Sequence, residues 1–207
     1  MARDSYGSMP GVGRRGPRQR SPRIHMVVSF YSALAIVGVL WHGSVTDSNA
    51  IWRAPASSFD GSAHWLWIGP LLGLAFGLSM VAAMRWIEPR FSWMVDLRRE
   101  FAAIFGETPH REVLWIAGAS ALGEELLFRG AMLDAWGLLP SSLVFALLHL
   151  PPRRTLWPWT ASAALLGLAL GGLTLVTGNL GAAVLAHFII NALNLAYITR
   201  AGGHEPR

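Results

Sequence analysis

The apolar residues of this 207-residue chain fall in long blocks separated by short polar stretches, without the even spacing of a soluble amphipathic fold. A block of about 20 apolar residues crosses the ~30 Å hydrocarbon core of a bilayer as a helix. Six segments are predicted to do so, over 26–41, 64–87, 111–136, 138–150, 156–176 and 179–199, the first and fourth being short. The last two are separated only by Thr177-Gly178, which predicts a tight antiparallel helical hairpin. Between the second and third segments, Met94, Leu97, Phe101, Ile104 and Phe105 share one side of a possible helix, interrupted by Arg98, Arg99 and Glu100. That pattern predicts a short amphipathic helix in the membrane interface, within 88–110 and ending near Gly106 and Pro109. The expected fold class is therefore all-α: a polytopic membrane helix bundle of about six transmembrane helices plus a short interfacial helix, in one domain over 26–200.

The flanks set the orientation. Residues 1–25 are rich in Arg, Gly, Pro and Ser, with six arginines from Arg3 to Arg23, and read as a disordered basic tail at the cytoplasmic face. A cleaved signal peptide is the rival reading, because a basic region precedes a short apolar run. No small-x-small cleavage site follows Trp41, so the first segment is expected to be a retained anchor. With the N-terminus in the cytoplasm, fifteen arginines fall on the inside and Arg53 alone on the outside. That bias predicts both termini inside, with 201–207 as a second cytoplasmic tail. Trp65, Trp67 and Trp86 bracket the second segment as interfacial aromatics, while Gly69, Gly73 and Gly77 place a small residue on one face every fourth position. Such a stripe lets another helix approach closely.

Composition narrows the picture. Hydrophobic residues make up 53% and charged residues 14%, against about 25% charged in soluble domains. The absence of cysteine excludes disulfides, thiolate catalysis and thiolate metal sites. All 17 basic residues are arginine, a bias expected of a GC-rich bacterial genome. The net charge of +5 is explained by topology and predicts no nucleic-acid partner. The expected setting is a bacterial inner membrane.

Chemistry enters with Glu124, Glu125 and Arg129, inside the third apolar segment. Ionisable groups at that depth are costly and mark functional sites. On a helix Glu125 and Arg129 lie four apart on one face, as an ion pair would. Glu124 is rotated about 100° away and is left to face a cavity. It lies about 20 Å along the helix from Arg111, near the middle of the membrane. Phe145 and His149 share a face of the fourth segment, and His187, Asn191 and Asn194 share a face of the sixth. A carboxylate beside a histidine can hold and deprotonate water, and an asparagine amide or histidine N–H can support an oxyanion. Taken singly, the glutamate pair is equally a proton relay or ion site, and the His/Asn pair is equally a tie between helices. Their combination and order are more specific.

These three motifs, Glu124-Glu125-x-x-x-Arg129, Phe145-x-x-x-His149 and His187-x-x-x-Asn191, resemble those of the CAAX protease and bacteriocin-processing family of intramembrane glutamic endopeptidases, also called Abi. The resemblance covers about 111–199. It implies that Glu124 and His149 activate water, that His187 and Asn191 support the oxyanion, and that Glu125 and Arg129 are structural. The implied substrate is a membrane-associated protein or peptide, cut near a membrane-embedded or lipidated segment. A leader or C-terminal sorting segment suits the bacterial character of the chain better than a prenylated tail. No cofactor is implied; zinc held by carboxylates and histidines is the alternative. Two other classes remain open, an inactive membrane scaffold and a proton-coupled transporter, although the paired repeats of a transporter are missing. His25, His42, His64, His110 and His204 lie at segment ends or in tails and read as solvated. Asp134 reads as interfacial.

Overall fold

The computed structural model describes residues 22–46, 51–52, 65–151 and 153–201. Most of the expected N-terminal tail, Arg53, His64, the C-terminal tail and His204 lie outside these residues. Eight α-helices follow in order: α1 Pro22–Val45, α2 Trp65–Ile87, α3 Ser92–Phe105, α4 His110–Glu125, α5 Leu133–Trp136, α6 Leu138–Leu148, α7 Trp157–Thr177 and α8 Leu180–Ala201. A π-helical segment, Leu126–Met132, joins α4 to α5 without a break. Among the described residues there is no strand. The molecule is a polytopic helical bundle, as the apolar blocks predict.

Four helical stretches are long and apolar enough to cross a membrane: Ile24–Val45, Trp67–Arg90, Trp157–Thr177 and Leu180–Arg200. Their outward positions, such as Leu71, Leu165 and Val176, are exposed leucine and valine rather than charge. A hydrocarbon solvent selects such a surface. The two remaining expected spans differ from these four. The helix from 110 to 136 spans the required length but carries the charged motif. Helix α6 has 11 residues, about 16 Å at 1.5 Å per residue, roughly half of a bilayer core. It stops at Leu148, because the residue before a proline is driven out of helical geometry and Pro151-Pro152 follows closely. The segment expected over 138–150 is thus a half-span that ends at His149.

Other boundaries also have physical causes. Helix α1 outruns the apolar block 26–41 at both ends, since its continuation through His42 buries that imidazole instead of solvating it. The interfacial helix is α3, with no fully buried residue, and it ends at Gly106, whose φ of 58° favours glycine. Gly178 supplies the left-handed turn (φ 58°, ψ 23°) between α7 and α8, as the expected hairpin requires.

Small residues bring the helices together. A Cβ on Gly69, Gly73 or Gly77 would overlap Asn179, Ala182 or Ala186 respectively, so α2 and α8 run parallel at backbone contact. The glycine stripe does what its spacing predicts. On the opposite side of the bundle, Gly38 of α1 lies on the Leu126–Leu127 backbone, and Gly123 of α4 lies on the Tyr31 carbonyl. Helices α1 and α4 therefore also run parallel, while α8 runs antiparallel to α4 between the two pairs, through Glu125–His187 and Ser120–Asn191. The motif helix sits at the centre.

Candidate active site

The last turn of α4 and the π segment carry Glu124, Glu125 and Arg129, all with under 7% of their surface exposed. A charge buried that deeply persists only when paired and hydrogen-bonded. Glu125 meets that condition through one oxygen, its Oε2 being buried without a partner among the described residues. Its Oε1 accepts from Arg129 Nη1 at 2.9 Å and from His187 Nδ1 at 2.7 Å. Arg129 also donates from Nη2 to the Gly167 carbonyl of α7 at 3.2 Å, and its guanidinium lies 4.4 Å from the centre of the Phe145 ring of α6. One ion pair thereby ties four helices together. A π segment at this point is of a kind frequently found at functional sites.

Glu124 is held differently. Its Oε2 is buried with no hydrogen-bond partner among the described residues. It lies 3.7 Å from His187 Nε2 and 4.0 Å from His149 Nε2. Both imidazoles are oriented through their other nitrogen. His187 Nδ1 donates to Glu125, and His149 Nδ1 donates to the Phe145 carbonyl at 2.7 Å. With Nδ1–H engaged, the Nε2 atoms of neutral imidazoles present lone pairs. Two ring nitrogens and a carboxylate oxygen therefore face a common point, which suits a small donor such as water; a proton on His187 Nε2 would turn that nitrogen into a donor.

His149 caps the C-terminus of α6, which is why a half-span suffices to deliver it. Its ring stacks on Phe145 with centroids 4.4 Å apart and meets the edge of Trp159 at 5.2 Å. Thr160 donates to its carbonyl at 2.8 Å. Phe101 of the interfacial helix also packs against Trp159, with ring centroids 5.2 Å apart. Of the three side chains around the common point, His149 is the most exposed, at 18%.

Glu124, Glu125, Arg129, Phe145, His149 and His187 thus come together from α4, the π segment, α6 and α8. Asn191 lies one turn further along α8, where its Nδ2 donates to Ser120 Oγ at 3.0 Å. Asn194, on the same face, is engaged instead with Arg85 of α2 at 2.8 Å. Among the described residues, no group of three His, Cys, Asp or Glu side chains is arranged to hold a metal ion.

Several partners escape a reading of single helices. Ser120 lies one turn before Glu124, on the side of α4 that faces Asn191. Tyr31 of α1 packs its backbone and Cβ against Gly123, next to Glu124; a hydroxyl inside an apolar run is the signal that could have found it. Two further residues correct the expectation. His42 is 3% exposed, not solvated, with Nδ1 2.8 Å from the Gly130 carbonyl and 3.4 Å from Asp134 Oδ2. The Asp134 carboxyl is therefore packed against a helix rather than lying in an open interface, with 6% of its side chain exposed.

The fold and the site together define a class: an integral membrane helix bundle with a carboxylate–imidazole centre buried at its core. The sequence profile of the type II CAAX prenyl endopeptidase Rce1-like family matches residues 108–193, from the start of the motif helix into α8, and this segment contains all three motifs. The uncharacterized protein YpbD of Bacillus subtilis (strain 168) is 30% identical over 167 residues, covering 78% of this chain and 80% of its own length. No solved structure matches the chain significantly. On these likenesses the chain belongs to the Rce1-like family of CAAX-type membrane endopeptidases.

Proposed function

We propose that this protein is an intramembrane endopeptidase that hydrolyses a peptide bond near a membrane-embedded or lipidated segment, using water activated by Glu124 and His149. The observation that carries this reading is the position of Glu124 Oε2, buried without a partner and facing His149 Nε2 and His187 Nε2. A water held there gives one proton to Glu124 as its oxygen attacks the scissile carbonyl carbon. The carbonyl π electrons move onto oxygen, and the oxyanion takes hydrogen bonds from protonated His187 Nε2–H and from the Asn191 amide. The proton on Glu124 then passes to the departing amine as the C–N bond breaks.

Charge balance supports the role of His187. Two carboxylates face one guanidinium in a poorly solvated core, and an imidazolium lying between both carboxylates removes the excess negative charge. Asn191 reaches the oxyanion by turning its amide away from Ser120. Glu125 and Arg129 hold this arrangement, and Phe145 holds His149. The chemistry needs no metal in this reading, so a chelator should leave the rate unchanged. Zinc dependence would return the site to the alternative.

The helix directions suit a bacterial inner-membrane protein with both termini in the cytoplasm. Helices α1 and α4 run one way and α2 and α8 the other, which fits the fifteen-to-one arginine bias. The substrate proposed is a leader or C-terminal sorting segment of a membrane-associated protein. The test compares the termini of membrane proteins in the native host carrying wild type or Glu124→Gln. A terminus lost with the variant identifies substrate and cleavage site together. An unchanged set of termini overturns the reading and favours a scaffold.

A further inference from the structure

The buried stripe of α1 holds chemistry outside all three motifs. Partly buried Val27, Val28, Tyr31, Leu34, Ala35 and Trp41, with buried Gly38 and His42, follow helical spacing along the side of α1 that meets the motif helix, while the positions between them are exposed. Two polar side chains stand in that stripe. His42 reaches the Gly130 carbonyl and Asp134 near the far end of the π segment. Tyr31 stands against Gly123, beside the residue that carries the Glu124 carboxylate. Its placement is tightly set: the residue before Glu124 is Gly123, and a Cβ there would overlap the Tyr31 carbonyl and crowd its Cβ. Glycine at 123 therefore seats the Tyr31 backbone directly against the turn that carries Glu124. The edge of the Tyr31 ring is further confined by Phe30, with centroids 5.2 Å apart.

We propose that Tyr31 is a positioning residue for Glu124: its hydroxyl donates to the Glu124 carboxylate and keeps Oε2 turned toward the two imidazoles. The need follows from the contrast with Glu125. Arg129 and His187 fix the orientation of Glu125, whereas Glu124 lies near the two histidines at distances too long for direct hydrogen bonds. A carboxylate with no donor of its own would swing about its side-chain torsions, and a misplacement of about 1 Å costs on the order of a hundredfold in rate. A phenol supplies a donor while keeping the surroundings apolar, and an O–H donor to a charged carboxylate makes a short, strong bond. Helix α1 is then a part of the active site, beyond its role as an anchor. The assignment rests on the proposed role of Glu124 as the water-activating base.

The test has two arms on the full-length protein. In detergent, thermal melts of wild type, Tyr31→Phe, Glu124→Leu and the double variant form a cycle that isolates the pairwise contact. A drop of several degrees from Tyr31→Phe that disappears in the Glu124→Leu background is expected, and strict additivity overturns the contact. In the native host, pulse-chase of the terminus mapped with Glu124→Gln reads the rate. Tyr31→Phe is expected to slow cleavage roughly ten- to hundredfold. With a peptide spanning the mapped bond and purified protein, the loss is expected in kcat with KM unchanged, and 3-fluorotyrosine at 31, which keeps the hydroxyl, restores the rate. Wild-type cleavage by Tyr31→Phe alongside an inactive Glu124→Gln overturns the positioning role and leaves the proteolytic reading standing. A set of termini unchanged by Glu124→Gln overturns the reading of Glu124 as the water-activating base instead, and the melting cycle still decides the contact.

Discussion

Glu124 and Glu125 are neighbours in the chain and equally buried, yet the two sides of the motif helix they face are built to opposite ends. On the Glu125 side one carboxylate oxygen is firmly held: guanidinium and imidazole N–H converge on Oε1 within 2.9 Å, and a backbone carbonyl takes a second guanidinium donor, while Oε2 has no partner among the described residues. On the Glu124 side the nearest imidazole nitrogens stand 3.7 and 4.0 Å from Oε2. The first geometry holds helices together. The second leaves room for a reactant. A buried ion pair contributes little net stability by itself, but removing one partner exposes the full cost of the other. The comparison therefore separates a carboxylate that ties helices together from one left facing two imidazoles, where the proposed chemistry would place water.

The comparison can be broken most directly at its two poles. Glu124→Gln should reduce formation of the product terminus by roughly 10²–10⁴-fold or more while leaving the melt in detergent unchanged or higher; a retained rate would remove Glu124 from the mechanism. Arg129→Ala should act on the other pole. Leaving Glu125 in low dielectric without its guanidinium costs about 3–5 kcal/mol, read as a lowered melting temperature, and an unaltered melt would contradict the structural role. The two histidines sharpen the contrast. His149→Ala and His187→Ala should each lower cleavage about a hundredfold or more, but only His187→Ala should also lower the melt, since only His187 holds Glu125. Equal stability of the two variants would count against that division. The smallest effect is expected at Ser120→Ala, which deletes one neutral hydrogen bond worth about 1 kcal/mol and releases the Asn191 amide. Cleavage should be kept or modestly raised, and a large loss would place Ser120 itself in the chemistry.

Much of this architecture was readable from spacing alone. The Glu125–Arg129 pair, the glycine stripe of α2, the hairpin at Thr177-Gly178 and the interfacial α3 are all relations within one helix or across one turn. What was missed crosses between helices. His42 read as solvated because it ends an apolar run, but its partners, Gly130 and Asp134, stand about ninety residues away in the chain. Helix α6 read as a span because its composition is apolar throughout. That composition cannot reveal that a short helix stops where its capping histidine faces Glu124.

The sequence by itself determined that the chain is a polytopic membrane bundle, which way its charge bias points, and which polar residues share a face within each helix. Hydrocarbon solvent and helical periodicity decide those matters locally, residue by residue. Only the tertiary structure decided that His187 pairs with Glu125, that Asn191 rests on Ser120, that Glu124 is left facing two ring nitrogens, and that α1 seats Tyr31 against Gly123. These depend on which faces meet at backbone contact, through Gly38, Gly73 and Gly123. A helical period specifies a face, and packing alone chooses its partner.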